Sequence, residues 1–239
     1  MPIGVMPIKG DSMSFIDLSH CIEAGMVTYK GLPAPVICDY LSREASRTRY
    51  TPGTEFHIGR IDMVANTGTY IDSPFHRYAT GRDVAGLRLD SLAQLPCLVA
   101  HIADTTRRTV DELPFSRTEI HGKAILIHTG WARHWRTDAY FEGFPCVSAR
   151  LAIWLRDAGA ALVGIDSHNI DCTDTGERPV HSTLLAADIP IVEHLCNLEQ
   201  VPERGAQFSA VPPKVLGLGT FPVRAFASLG ESRALAGAL

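Results

Sequence analysis

The 239-residue chain lacks several features that would assign a function quickly. It has no CxxC pair: Cys21, Cys38, Cys97, Cys146, Cys172 and Cys196 are scattered, so neither a zinc ribbon nor a thioredoxin-like motif is expected. A chain this long does not need disulfide staples, and reduced thiols in a cytoplasm are the expectation. No GxGxxG or Walker loop is present, so nucleotide cofactors have no support, and Ser19, Ser73 and Ser182 lack the GxSxG setting of a nucleophile elbow. There is no internal repeat, no low-complexity linker, and no apolar run long enough to span a bilayer. A net charge of -4 with interspersed signs gives no basic stripe for nucleic acid. The opening MPIGVMPIKGDSMSF has no basic start followed by a long apolar stretch, so no secretion signal is expected.

What is present is average globular material, 46% hydrophobic and 20% charged, enough for one core. We read residues 1 to 239 as one domain, with residues 1 to 14 a loose arm. Frequent Gly and Pro favour many short elements. Strands are expected at FIDLSH (15–20), VICDYL (36–41), from Ile58 to Met63, and in the buried runs CLVAHIAD (97–104), KAILIHTG (123–130) and ALVGID (161–166). A short helix is expected between residues 109 and 122. SARLAIWLRDAGA (148–160) is the clearest helix: Ser148 caps it, Leu151, Ile153, Trp154 and Leu155 form an apolar face, and Gly159 ends it. With the strands around it, it makes a βαβ unit. Further strands are expected at residues 189 to 192, 206 to 213 and 221 to 228. The class is a mixed, strand-rich α/β domain.

Three places carry chemistry. NTGTYIDSPFH (66–76) packs a Gly turn, Asp72, Pro74 and His76 into eleven residues. Asp is a hard oxygen ligand and His can ligate or shuttle protons; the plain alternative is a turn with a surface His. GIDSHNIDCTDTGERPVH (164–181) holds Asp166, His168, Asp171, Asp174, Glu177 and His181 where a buried strand delivers its C-terminal end; the plain alternative is a solvated acidic loop. Glu193 follows the apolar run Ile189 to Val192, and a buried carboxylate needs a cation, a donor or a metal. His20, His57, His101, His128, His134 and His194 read as satisfied structural histidines, and Trp131 and Trp135 as core.

Together the motifs resemble the cyclase family of metal-dependent hydrolases, which includes bacterial kynurenine formamidase and isatin hydrolase. DLSH (17–20), HTGW (128–131), GID (164–166), HSTLLAADIPIVEHLCNLEQVP, FSAVPPKVLGLGTFPVRAFA and the twelve-residue spacing of His181 and Glu193 carry the likeness. The resemblance implies a swivelling β/β/α domain assembled as a homodimer or homotetramer. It also implies a metal on Asp72, His181 and Glu193, with His76 as general acid/base assisted by Asp72. The chain departs from the family signature HxGTHxDxPxH: its two leading histidines fall on Asn66 and Tyr70. Asn offers only a neutral carbonyl oxygen, and Tyr would have to ionise to ligate; either can instead donate hydrogen bonds to a substrate. Three states stay open: a hydrolase with one zinc or manganese ion, a metal-free cyclase, lyase or isomerase using His76, or a catalytically inactive small-molecule binding protein. The first implies cleavage of an amide, lactam or lactone in a small cyclic or aromatic substrate such as N-formylkynurenine.

Overall fold

The structure, a computed structural model, describes residues 13 to 103 and 107 to 230. Most of the expected loose arm lies outside these residues, and its last position, Ser14, already belongs to a strand.

In chain order the strands are β1 (Ser14–Asp17), β2 (Val36–Leu41), β3 (Ile58–Asp62), β4 (Tyr70–Asp72), β5 (Leu95–His101), β6 (Thr109–Val110) and β7 (Ala124–His128). They continue with β8 (Cys146–Val147), β9 (Leu162–Ile165), β10 (Ile191–Glu193), β11 (Arg204–Ser209), β12 (Thr220–Pro222) and β13 (Phe226–Leu229). The helices are α1 (Arg43–Ser46), α2 (Arg117–Ile120), α3 (Ala149–Ala158) and α4 (Pro179–Ala186).

Nine strands form one mixed sheet in the order β1-β13-β11-β5-β7-β9-β10-β4-β12. Its centre, β5-β7-β9-β10, is parallel, and the flanking pairs are antiparallel. The parallel centre explains the unbroken apolar runs of β7 and β9. A strand covered on both faces has no solvent side on which to alternate polar residues. One face packs against α3 and α4 through Ile125, Ile127, Val163, Ile165, Leu151, Leu155 and Leu184. The other face buries Leu126, Leu162, Ile71, Val192 and Phe208. Full burial of each such side chain contributes about 1.5–3 kcal/mol.

β7, α3 and β9 make the expected βαβ unit, with β7 and β9 adjacent and parallel. The Ser148 hydroxyl accepts from the Leu151 N–H at 3.1 Å, and Gly159 ends α3 in the left-handed region at φ +76°. The buried face of α3 is Leu151, Ala152, Leu155 and Ala158; Ile153, expected on that face, is exposed.

β2 and β3 have the expected spans but form a separate two-stranded ribbon that does not join the large sheet. Of its apolar side chains Leu41 is buried, while Val36, Ile37, Tyr40, Ile58 and Ile61 are exposed. The cysteine reading is corrected at one pair: Cys146, on β8, and Cys172 are joined in a disulfide, while the other four are free. Trp131 and Trp135 are half-buried rather than core. Trp131 donates its indole N–H to the Tyr140 carbonyl at 3.0 Å, and Trp135 stacks on His20 at 4.1 Å between ring centroids.

Candidate functional site

The antiparallel register of β4 on β10 sets the site. Tyr70 stands opposite Glu193 and Asp72 opposite Ile191. Side chains alternate along a strand, so Tyr70, Asp72 and Glu193 share one face, while Ile71 and Val192 point to the core on the other. That shared face is the one covered by α4, whose first turn carries His181. Three segments distant in sequence therefore deliver their polar side chains to one point.

The chain holds both strand ends with specific bonds. Gly68 turns into β4 at φ +67°, and its N–H is bound by the Thr28 hydroxyl at 3.0 Å. After β4, Ser73 donates through both its N–H and its hydroxyl to the Gly219 carbonyl, at 2.7 and 2.8 Å. Gly219 is required there: a Cβ would lie 2.5 Å from the Cα of His76. After β10, His194 adopts a left-handed φ of 57°, fixed by the Thr69 hydroxyl on its carbonyl and by Tyr140 on its ring.

Asp72, His181 and Glu193 each offer a ligand atom, and these atoms lie within 4.8 Å of one another. His181 Nε2 is 3.5 Å from Asp72 Oδ2 and 3.7 Å from Glu193 Oε1. His76 stands at the rim, its Nε2 3.9 Å from Asp72 Oδ1, with a side chain 37% exposed beside a fully buried Asp72. The surrounding cavity, of about 330 Å³, is lined by Tyr29, Asn66, Tyr70, His76, Arg178 and His181 among others.

Each member has a support. Asp171 accepts from the Val180 and His181 N–H groups at 2.8 and 3.0 Å, so it caps α4. The same carboxylate meets His181 Nδ1 at 2.7 Å, which directs Nε2 toward Asp72 and Glu193. Glu193 Oε1 accepts from the Ile170 N–H at 2.7 Å, and Oε2 from the hydroxyls of Tyr70 at 2.5 Å and Tyr29 at 3.1 Å. Asn169 donates to Tyr29 at 3.0 Å. Asn66 lines the cavity while its side-chain oxygen accepts from Thr220 at 3.0 Å.

The charges are unbalanced. Asp72, Asp171 and Glu193 are all essentially unexposed. Burial opposes a charged imidazole at His181, but Asp171, Asp72 and Glu193 outweigh it and raise it to about 10. Burial, reinforced by Asp72, pushes Glu193 up to about 7 against the pull of His181, Tyr70 and the Ile170 N–H. Burial and then Glu193 hold the Tyr70 phenol well above its ordinary value, so with no cation beside it Tyr70 is a neutral donor to Glu193. Glu193 has no arginine partner among the described residues; its hydrogen bonds come from phenols and a backbone amide, and His181 stands 3.7 Å away.

A divalent metal fits these residues. Both oxygens of the buried Asp72 lack a hydrogen-bond partner among the described residues, a costly condition unless a cation supplies the missing interaction. Two ligands about 2.1 Å from a tetrahedral ion sit roughly 3.4 Å apart. The 3.5 and 3.7 Å separations from His181 Nε2 suit that spacing.

Of the sequence candidates, Asp72, His76, His181, Glu193, Asn66 and Tyr70 all lie at this cavity. Asp166, His168 and Asp174 serve elsewhere: Asp166 accepts from Thr129 and Gly130, His168 packs among aromatic rings, and Asp174 pairs with Arg108. His20 and His194 differ from the satisfied histidines expected, since each leaves Nε2 unpartnered among the described residues. Asp171 stood among the candidates of the 164–181 cluster without a role assigned to it, and Tyr29 was not singled out. Asp171 had a signal, lying ten residues before His181 and ahead of the helix-starting Pro179; Tyr29, in irregular chain, had none.

Comparisons with known proteins extend this picture. The family profile described as putative cyclase matches residues 16–172. A kynurenine formamidase from Geobacillus thermodenitrificans (strain NG80-2) is 32% identical over 183 residues, covering 75% of this chain and 84% of that protein. A solved structure described as a potential metal-dependent hydrolase with cyclase activity matches at TM-score 0.73 and 25% identity, covering 91% of this chain and 98% of its own. Isatin hydrolase A from Labrenzia aggregata, solved with benzyl benzoate bound, matches at TM-score 0.75 over 92% of this chain and 94% of its own; at 19% identity it shares the fold. The profile covers well over half of the residues, and the mixed sheet is that of these neighbours: the chain belongs to the cyclase family.

Proposed function

We propose that the protein is a hydrolase that opens an amide, lactam or lactone bond in a small aromatic or cyclic substrate, with one zinc or manganese ion on Asp72, His181 and Glu193. The observation that carries the proposal is the buried, unpartnered carboxylate of Asp72 between two histidines at the floor of a cavity. Metal-free acid/base chemistry would leave Asp72 and Glu193 to share the one imidazolium of His181, with no hydrogen bond to either Asp72 oxygen among the described residues. The similarity to a kynurenine formamidase makes an aryl formamide, N-formylkynurenine first, the leading candidate substrate.

A divalent metal at this site, when bound, supplies Lewis acidity toward a carbonyl and a lowered pKa for a water. The protein's own groups do the rest. Asp171 holds the Nδ1 proton of His181, so Nε2 presents its lone pair to the site. Ile170, Tyr70 and Tyr29 hold Glu193 in one orientation. His76 sits where solvent and buried acid meet, suited to take a proton from the attacking water and return it to the departing nitrogen or oxygen. The side chains of Asn66 and Tyr70 line the cavity on the β4 side, where they position the substrate. The balance is amide plus water to carboxylic acid plus amine.

We also propose a homodimer or homotetramer, because the exposed apolar ribbon of β2 and β3 is a poor surface to leave in water. No described helix is long and apolar enough to cross a membrane. The exposed free thiols Cys21 and Cys38 suit a cytoplasm, while the Cys146–Cys172 bond argues for an oxidising compartment. A thiol titration on protein from its own host separates these.

Elemental analysis of protein purified without chelator tests the core proposal, with about one metal per chain expected. His181→Ala should lose metal and aryl-formamidase activity together. His76→Ala should keep the metal and lose turnover by about 10²–10⁴-fold. An active, metal-free His181→Ala variant would end the proposal.

A further inference from the structure

Arg77 and Arg178 both line the cavity. Arg82, Arg108, Arg136 and Arg224 each pair with a carboxylate. Neither cavity arginine meets one within ion-pair distance among the described residues; their polar contacts are neutral. Both are nevertheless held. Arg77 Nε donates to the Ser182 hydroxyl at 3.2 Å, and its guanidinium lies 5.2 Å from the centre of the Tyr78 ring. Arg178 Nη1 donates to the carbonyls of Thr175 and Glu177 at 2.8 and 2.6 Å. These bonds leave both terminal nitrogens of Arg77, and Nε and Nη2 of Arg178, free to donate.

Their placement is directional. Ser182 follows His181 directly, and Arg178 precedes it by three residues, so both guanidinium groups gather at the first turn of α4. Asn66 and Tyr70 occupy the β4 side, and Leu32 with Tyr29 supplies apolar lining. Three buried carboxylates against the single imidazole of His181 leave the floor short of positive charge when no cation is bound there. A neutral substrate needs no cation at the entrance; an anionic one does.

We propose that Arg77 and Arg178 are specificity-determining residues that bind an anionic group of the substrate, a carboxylate on its aromatic portion, at the α4 edge of the cavity. Planar guanidinium groups pre-oriented by neutral partners match a carboxylate through paired N–H donors. Among aryl amides, the pair favours those whose amine portion carries a carboxylate over neutral ones. The inference rests on the hydrolase reading above for its catalytic consequence, but not for binding.

The test uses the full chain with its metal content measured. Formanilide, the neutral probe, is compared with 2-, 3- and 4-formamidobenzoate in wild type, Arg77→Gln, Arg178→Gln and the double variant. At least one formamidobenzoate should exceed formanilide in kcat/KM by about tenfold, mainly through KM, and the double variant should lose about tenfold on it while changing formanilide less than about twofold. Equal losses on both probes, or wild type that favours formanilide over all three isomers, would overturn the proposal. If wild type cleaves none of the four, the aryl-formamidase reading fails separately. Calorimetry then decides the anion site. Binding of a formamidobenzoate that weakens about tenfold in the double variant supports it, and no binding to wild type overturns it. Should the double variant unfold, the exposed Arg77→Gln variant carries the same comparison.

Discussion

Stripping any metal should give the protein a stability that peaks near neutral pH and falls on the alkaline side. Two sets of buried groups oppose each other. Burial lowers His168 and His20 to about 4, and burial together with those two rings lowers His194 well below its ordinary value. Those folded-state values lie below the unfolded histidine value of about 6.5. Between roughly pH 4 and 6.5 the unfolded chain therefore binds more protons, and stability rises with pH. Glu193, at about 7, and His181, at about 10, are shifted the other way. Both bind protons more tightly when folded: Glu193 costs stability as pH rises from about 4.5 through 7, partly offsetting the histidine gain, and His181 as pH rises from about 6.5 through 10. His20 is partly exposed and is discounted. The sum is a gain of about 1–3 kcal/mol from pH 5 to 6.5 and a loss of about 2–3 kcal/mol from pH 7 to 9. For a chain of this size the alkaline loss is roughly 5–10 °C in Tm.

Urea unfolding of chelator-treated, dialysed protein at half-unit pH steps measures this directly. Repeating the series with excess zinc or manganese supplies the control. A bound cation replaces the His181 proton and favours ionised Glu193, so the alkaline loss should vanish. A metal-free protein whose stability stays flat or rises from pH 7 to 9 would refute the reasoning, because Asp171, Asp72 and Glu193 would then not be holding a charged His181.

Asp171→Asn should weaken metal affinity about 10–100-fold in a chelator competition, since it removes the charged partner of the His181 Nδ1 proton and leaves the three ligand atoms in place; unchanged affinity would remove Asp171 from the site. Tyr70→Phe deletes the 2.5 Å bond to Glu193 while the Tyr29 hydroxyl remains, and should cost about 1–3 kcal/mol in urea unfolding. Changing Cys146 and Cys172 both to Ser opens a loop with a sequence separation of 26 and should cost about 3–4 kcal/mol; an equal stability with six titratable thiols in the parent would show that the bond does not persist in solution.

What was legible in the sequence was what local chemistry dictates. Ser148, the apolar periodicity after it and Gly159 define α3 without reference to anything else, and β7 and β9 are apolar because they are covered on both faces. Two kinds of feature were hidden. Ile153 matches the helical period of the buried face and yet is exposed, and β2 and β3 read as ordinary strands while pairing only with each other. Strand character depends on residue type, whereas sheet membership depends on partners that the sequence does not name. Tyr29, Asp171 and the bonded cysteines belong to the second kind. Each acquires its role from a residue 164, 10 or 26 positions away.

Asn66 and Tyr70 explain why the site departs from the signature without falling apart. Replacing two histidines in a buried pocket removes two groups able to face a cation, and it leaves Glu193 in need of donors. Tyr70 answers that need from directly across the β4–β10 pair, and Tyr29 places a second hydroxyl within reach of both Glu193 and the His168 carbonyl, its single proton serving one of them at a time. The side of the cavity that imidazoles would occupy is thus closed by a network of phenols, Asn169 and Glu193. High phenol pKa values keep this network neutral, so it satisfies one carboxylate oxygen and adds no charge. Asp72 receives nothing from it. The carboxylate left without a hydrogen bond is therefore Asp72, on the side facing His181 and His76, which supports the proposal of one cation at that point.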